Sequence, residues 1–252
     1  KRLLDAREAA RRIRTFTAGQ TFADFSASEL VRSAVERQFG IIGEALAKAC
    51  GERALFLRHD VSNEAEWQEV IAKVQAHFGP LDILINNAGI LLPGSIETAT
   101  LAQFRQLMQV NADSCFLGCQ QGIAAMKERG GSIVNMASVS TWLPIEGYAG
   151  YSASKAAVAA LTRASALYCR KNGLAIRVNS LHPDGIYTPM MKATAPGVPE
   201  KYLLFDPKVN PKGRAIMPEH IAKVLLFLAS DDSVAISGAE IKADSAILGM
   251  GL

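Results

Sequence analysis

Tyr151 and Lys155 stand four residues apart in the run Tyr-Ser-Ala-Ser-Lys, within a stretch whose alanines and spaced apolar residues predict a helix. Helical spacing puts both side chains on one face. An ammonium beside a phenol favours the phenolate, which draws a pKa that starts near ~10 toward the range where tyrosine exchanges protons with an alcohol or ketone. Ser138 follows the apolar run Ile133-Val134-Asn135-Met136. That places it at the carboxyl end of a predicted strand, the edge where ligands bind in open α/β sheets, with a hydroxyl able to orient a substrate oxygen. Asn86-Asn87-Ala88-Gly89 ends a second apolar run at the same edge, and Asn111 falls within a predicted helix. A Tyr-x-x-x-Lys spacing alone is what any amphipathic helix can produce. Its concurrence with Ser138, Asn111 and the Asn-Asn-Ala-Gly turn points to acid/base work on a secondary alcohol or ketone.

The elements that must hold these residues alternate between two periods. A strand is predicted at Ala54 to Leu57, a helix from about Asn63 to Phe78 ending at Gly79-Pro80, and a buried strand from Leu81 to Asn86. A helix from Leu101 through Lys127, a strand from Ser132 to Met136, a helix from Tyr151 to Lys171 closed by Asn172-Gly173, and a strand from Ala175 to Leu181 follow. A last helix begins at Pro218 and a last strand runs over Glu240 to Ala243. This rhythm predicts a doubly wound α/β fold with a parallel sheet. Residues 1–49 differ. Leu3, Ala6, Ala10 and Ile13 recur at helical intervals among arginines, Thr17-Ala18-Gly19 interrupts them, and Ser26 with Glu29 has the spacing of a capping box before a second apolar stripe. The expected organisation is a helical segment over 1–49 and an α/β domain over 50–252.

Composition narrows the function classes. The 252 residues are 49% apolar, enough for one substantial core. The net charge of +3 comes wholly from residues 1–49, which hold 9 Lys/Arg against 6 Asp/Glu. So small an excess gives no case for nucleic-acid binding. Cys50, Cys115, Cys119 and Cys169, and the dispersed His59, His77, His182 and His220, lack metal-ligand spacing, so no metal is expected. The longest apolar runs, such as Val224 to Ala229, fall far short of the ~18 residues a membrane span needs, so a cytoplasmic protein without a membrane partner is expected.

The stretches NNAGILLPG, GCQQGIAAMKERGGSIVNMASVS, WLPIEGYAGYSASKAAV and RVNSLHPDGIYTPMM resemble the short-chain dehydrogenase/reductase family, and within it bacterial hydroxysteroid dehydrogenases, over residues of about 51–252. The resemblance implies a Rossmann-like fold and hydride transfer between a nicotinamide cofactor, NAD, and a secondary alcohol. It implies Tyr151 as general acid/base, Ser138 as donor to the substrate oxygen, Lys155 on the nicotinamide ribose, and Asn111 supporting a proton-relay water. It further implies cofactor contacts at Asp60, Val61, Asn87, Tyr151, Lys155, Ile186 and Thr188, and a homo-oligomer. His182-Pro183-Asp184-Gly185 departs from the common family form, in which glycine directly follows proline. Leu91, Leu92, Trp142, Leu143, Pro144, Met190 and Met191 are expected to form an apolar wall suited to a flat, steroid-like substrate.

The glycine-rich strand-to-helix turn with which that family begins is not found upstream of residue 51. Thr17-Ala18-Gly19 and Gly40-Ile41-Ile42-Gly43 lack the preceding strand and the remaining glycines. RRIRTFTAGQTFADF and ELVRSAVERQFGIIGEALAKA instead resemble the amino-terminal helices of HepT-type toxins of the HEPN class. The fold expected is therefore a Rossmann-like sheet lacking its first βαβ unit, with a helical segment in its place. A catalytically silent fusion or interaction protein is the alternative, and an RNA-acting toxin module comes third.

Overall fold

The computed structural model describes residues 50–249, together with Glu8, Arg12, Thr15, Ala18 and Gly19. The chain divides into two compact units, residues 1–59 and residues 60–252. In the first, Glu8, Arg12 and Thr15 are helical, Arg12 Nε bonds Glu8 Oε1 across one turn, and Ala18-Gly19 form a turn with Gly19 at a positive φ of 72°. The rest of the expected helix–turn–helix, and most of the toxin-like segment, lies outside the described residues. A short 3₁₀ turn over Gly51–Arg53 leads into residues 54–60, which join no ladder. The strand expected at Ala54 to Leu57 is therefore not formed. Its composition suits a strand, but a strand exists only where a neighbour supplies its backbone hydrogen bonds.

The second unit is a parallel sheet whose central strands are covered on both faces. Helix α1 spans Glu64–Phe78, opened by Asn63, whose side chain accepts from the amides of Ala65 and Glu66. Strand β1 is Ile83–Asn86. Helix α2, Leu101–Leu107, opens on a capping box between Thr100 and Gln103, passes through a π-helical turn at Met108–Asp113, and continues as α3, Ser114–Met126. Then come β2 (Gly131–Met136), a 3₁₀ turn (Val139–Thr141), α4 (Ala149–Lys171) and β3 (Ile176–Pro183). After β3 the chain forms β4 (Gly185–Ile186), α5 (Pro189–Thr194), α6 (Glu200–Leu203), β5 (Ala215–Ile216), α7 (Pro218–Ala229) and β6 (Glu240–Ala243).

The sheet order is β1-β2-β3-β6, all parallel, with β4 and β5 forming a separate two-stranded ladder. β2 and β3 read as near-continuous buried runs because a central parallel strand is covered on both faces. Ile133, Ile176 and Val178 pack with Cys115, Cys119 and Val158 from α3 and α4, while Val134, Met136 and Leu181 pack with Ile221 and Leu228 from α7. Arg177 fixes the end of α7 by donating to the carbonyls of Leu228 and Ser230, where a cation complements the helix dipole. β1 is less buried than its sequence suggests. Leu84 and Asn86 face α3, whereas Ile83 and Ile85 are exposed, because among the described residues no strand pairs with the outer edge of β1 and no helix covers that face.

Candidate active site

The carboxyl ends of β1, β2 and β3 bring the chemistry-bearing residues to one edge. Ser138 follows β2 as the cap of the 3₁₀ turn, its Oγ accepting from the Ser140 amide at 3.2 Å. Tyr151 and Lys155 lie on the first turns of α4, with Lys155 Nζ 5.8 Å from the centre of the Tyr151 ring. Asn111 sits inside the π-helical turn, a one-residue insertion of the kind often found where a helix carries function. Periodicity predicted a single α-helix there. The insertion rotates all that follows by about a third of a turn and puts both Asn111 and Cys115 in the interior.

Asn111 is a clamp. Its Oδ1 accepts from the Ile90 amide at 2.8 Å, and its Nδ2 donates to the Ile90 carbonyl and to Ser154 Oγ, each at 3.0 Å. One N–H donor and the acceptor thereby hold the backbone of Ile90, directly after the Asn-Asn-Ala-Gly turn, and the other donor ties Asn111 to α4. Under that turn, Asn86 Nδ2 donates to Asn135 Oδ1, and Asn135 Nδ2 donates to Thr162 Oγ1, each at 2.8 Å. Gly118 makes room for this buried chain, since a Cβ there would sit 2.2 Å from Asn86 Oδ1.

Electrostatics differ from the sequence expectation at one point. Lys155 was expected to lower the Tyr151 pKa, yet burial raises it, with a hydrogen bond from Ser138 opposing. Lys155 is only 5% exposed, and its Nζ donates to the Met136 carbonyl at 2.8 Å. Loss of water brings the Lys155 pKa down to about 8, the neighbouring Cys115 acting against this. The ammonium is itself short of solvation, and burial rather than its charge sets the direction of the Tyr151 shift.

His182 is a residue that the sequence offered only as part of an unusual Pro-Asp-Gly turn. It is fully buried, its Nδ1 3.0 Å from the Ser138 carbonyl and its Nε2 2.8 Å from Ser180 Oγ. A carbonyl only accepts, so Nδ1 carries the proton and Nε2 accepts from Ser180. Burial pushes the His182 pKa down to about 4, which keeps this arrangement neutral. Its ring also packs against Trp142, at 4.4 Å between centroids, and Lys242 Nζ lies 5.0 Å over the same indole.

Other expected positions fall as follows. Asp60 and Val61 form the turn before α1: Asp60 Oδ1 accepts from the amide and hydroxyl of Ser62, and the Val61 carbonyl accepts from Trp67 Nε1. Gln109 of the π-helical turn reaches Ser62 Oγ at 3.3 Å, linking that turn to the helix that carries Asn111. Asn87 is exposed, Ile186 is half-buried in β4, and Thr188 caps α5 through the Met191 amide. Of the expected apolar wall, Trp142 and Met190 are exposed and Leu91, Leu143 and Met191 half-buried, but Leu92 is 4% exposed and belongs to the core. A cavity of about 640 Å³ opens beside Ala149, Ala153 and Ala156, the face of α4 turned away from Tyr151 and Lys155. Its lining also includes Pro144 of the expected apolar wall and Ser140, whose amide donates to Ser138 Oγ.

The nicotinamide half of a cofactor site is consistent with these residues. A Cβ on Gly89 would lie 3.2 Å from Asn111 Oδ1 and 3.4 Å from Lys155 Nζ, so the glycine brings the turn close to both side chains. The lysine has three donors and spends one on Met136. A glycine-rich turn linking a strand to a helix, which would hold a pyrophosphate, is not present among the described residues. Nor is there a group of residues able to hold a metal among them, and no helix of the described residues is long and apolar enough to cross a membrane.

Comparison with known proteins agrees with this geometry. The family described as Enoyl-(Acyl carrier protein) reductase matches residues 20–246, beginning inside the segment likened above to toxin helices. The 3-beta-hydroxysteroid dehydrogenase of Comamonas testosteroni is 65% identical over 211 residues, 83% of each chain. The NADP-dependent (R)-specific alcohol dehydrogenase of Lentilactobacillus kefiri is 33% identical over 234 residues, 91% of this chain and 92% of that one. The 3-alpha-(or 20-beta)-hydroxysteroid dehydrogenase of Mycobacterium bovis is 36% identical over 203 residues, 80% of this chain and 74% of its own. With its parallel sheet, its tetrad at the sheet edge and these relatives along most of its length, the chain belongs to the short-chain dehydrogenase/reductase family of oxidoreductases.

Proposed function

We propose that the chain oxidises or reduces a steroid-like secondary alcohol or ketone with a nicotinamide cofactor, NAD in the first instance. The observation that carries this reading is the joint placement of Ser138, Tyr151 and Lys155 at the carboxyl edge of the sheet, supported by the 65% identity to a 3-beta-hydroxysteroid dehydrogenase. When bound, the nicotinamide supplies two-electron exchange with the carbinol carbon.

The chain's own residues handle the oxygen and its proton. Ser138 Oγ donates to the substrate oxygen and fixes its direction. Tyr151 gives its phenolic proton to that oxygen during reduction and takes it back during oxidation. Its raised pKa suits the donor role directly, and oxidation requires Lys155 to be drawn closer to the phenol or the ribose. Lys155 and the Asn87-to-Gly89 turn would hold the ribose, with Asn111 fixing the backbone beside that turn and supporting a relay water. Ile186 and Thr188 would hold the nicotinamide side, and Asp60 with Val61 the adenine side. Exposed Trp142 and Met190, with half-buried Leu91, Leu143 and Met191, give a flat apolar substrate a surface to stack on. A second copy of the chain is its partner in this reading.

Titration with NADH and NADPH, followed by cofactor fluorescence, tests the reading together with oxidation of 3β- and 17β-hydroxysteroids. Micromolar NADH binding with steroid turnover supports it. A folded protein that binds neither cofactor at millimolar concentration contradicts it.

A further inference from the structure

The departure at Asp184 has a partner 30 residues along the chain. Arg214 Nε donates to Asp184 Oδ2 and its Nη2 to Asp184 Oδ1, both at 2.8 Å. The carboxylate side chain is 8% exposed and the guanidinium 50%. Asp184 follows directly on β3, and its amide donates to the Ala243 carbonyl of β6 at 3.2 Å. Between the two residues the chain leaves the sheet and returns to it, carrying α5, α6 and a turn over 206–210.

The neck of this excursion is narrow. β4 and β5 pair through Gly185 with Ala215 and Ile186 with Ile216, Leu204 also bridges Ala215, and so short a ladder leaves few backbone bonds to hold its register. A slip of one residue would exchange the faces of Ile186 and Ile216, which pack on the α7 side of the core. Close packing sets the spacing: a Cβ at Gly213 would lie 2.1 Å from the Leu204 carbonyl oxygen, and one at Gly185 3.0 Å from that of Arg214 and 3.4 Å from Met191 Cγ. Such packing fixes distance, whereas the bidentate fork between planar groups fixes register and direction. Tyr187 donates to Glu200 Oε2 at 2.5 Å and so ties the first limb to α6.

We propose that Asp184 and Arg214 are a positioning pair that closes the neck of the 187–213 segment and so sets where Thr188, Met190 and Met191 stand against a substrate. Its substrate arm rests on the function proposed above; its structural arm does not. The pair acts through the segment and touches neither substrate nor cofactor.

The experiment is hydrogen exchange of the full-length protein with mass spectrometry, run beside steroid kinetics, on the wild type, Asp184→Asn, Arg214→Gln, Arg214→Lys and the exchanged pair Asp184→Arg/Arg214→Asp. Exchange over 187–213 rises about tenfold in Asp184→Asn, between the near-silence of an exposed pair and the larger loss of a buried one. It rises further in Arg214→Gln, which leaves the less exposed carboxylate unpaired. Arg214→Lys is intermediate, keeping the charge without the fork, and the exchanged pair recovers part of the protection. Exchange in β3 and α4 stays unchanged and shows that each variant is folded. KM for the steroid rises about tenfold in Asp184→Asn, with kcat within about threefold. Unchanged exchange at 187–213 in both Asp184→Asn and Arg214→Gln overturns the pair as a closure. Increased exchange with unmoved KM overturns its role toward substrate. A wild type without turnover refutes the proposed function, while the exchange measurement still decides the closure.

Discussion

Keeping Lys155 charged in the ligand-free protein has a cost that can be read from stability against pH. Its pKa falls from 10.5 to about 8 because the side chain has left water. At about 1.4 kcal/mol per tenfold, the charged form destabilises the fold by roughly 3 kcal/mol below pH 8. The folded protein releases this proton near pH 8 and the unfolded chain near 10.5. Between those values the unfolded chain holds more protons, so the free energy of unfolding rises with pH across this window and levels off beyond it. Lys155→Met removes the term. It also removes the bond to the Met136 carbonyl, worth about 1 kcal/mol, so a net gain of roughly 2 kcal/mol is expected at pH 7, together with loss of turnover. Urea unfolding of both proteins at half-unit steps from pH 7 to 10 gives the difference directly, and subtraction cancels the groups that do not interact with Lys155. Parallel curves, or a variant less stable than wild type at pH 7, would refute the argument that burial of this cation is what moves its pKa.

Further outcomes follow from the same geometry. Gly118→Ala forces a methyl group into Asn86 and is expected to cost about 1–3 kcal/mol in urea unfolding. Ser138→Ala removes the hydrogen bond that draws the Tyr151 pKa down, so the alkaline limb of the pH–rate profile moves to higher pH and turnover falls about a hundredfold. His182→Leu orphans the Ser138 carbonyl and Ser180 hydroxyl, costing about 1–3 kcal/mol. In the wild type His182 takes its proton near pH 4 when folded and near 6.5 when unfolded, so stability drops as pH falls through that window; the variant loses this part of the slope. Asn111→Ala frees the Ile90 backbone, and faster amide exchange over residues 87–91 is the expected sign.

Most of the sheet was legible because its strands carry a period or an unbroken apolar run bounded by turns. Gly131–Met136 and Glu240–Ala243 came within a residue of expectation, and α4 begins two residues before Tyr151. The π-helical turn at Asn111 was not legible, since one inserted residue leaves no mark on composition. Ala54 to Leu57 misled because strand composition does not supply a neighbouring strand. The tetrad was visible from residue types and spacing, but the environment of Tyr151 was not: burial, a three-dimensional quantity, reverses the sign that its lysine neighbour suggests. The partners of Ser138 and Asp184, His182 and Arg214, stand 44 and 30 residues away, and no local pattern announces either pair.

The central claim is that Tyr151 exchanges the proton of a secondary alcohol beside a bound nicotinamide. Steady-state oxidation of a 3β-hydroxysteroid by wild type and Tyr151→Phe, with NADH affinity measured on the same samples, tests it most directly. The account predicts a loss of turnover of about a hundredfold or more in Tyr151→Phe with NADH affinity held within a few-fold. Equal turnover in the two proteins, or no turnover by a folded wild type that binds NADH, would contradict it.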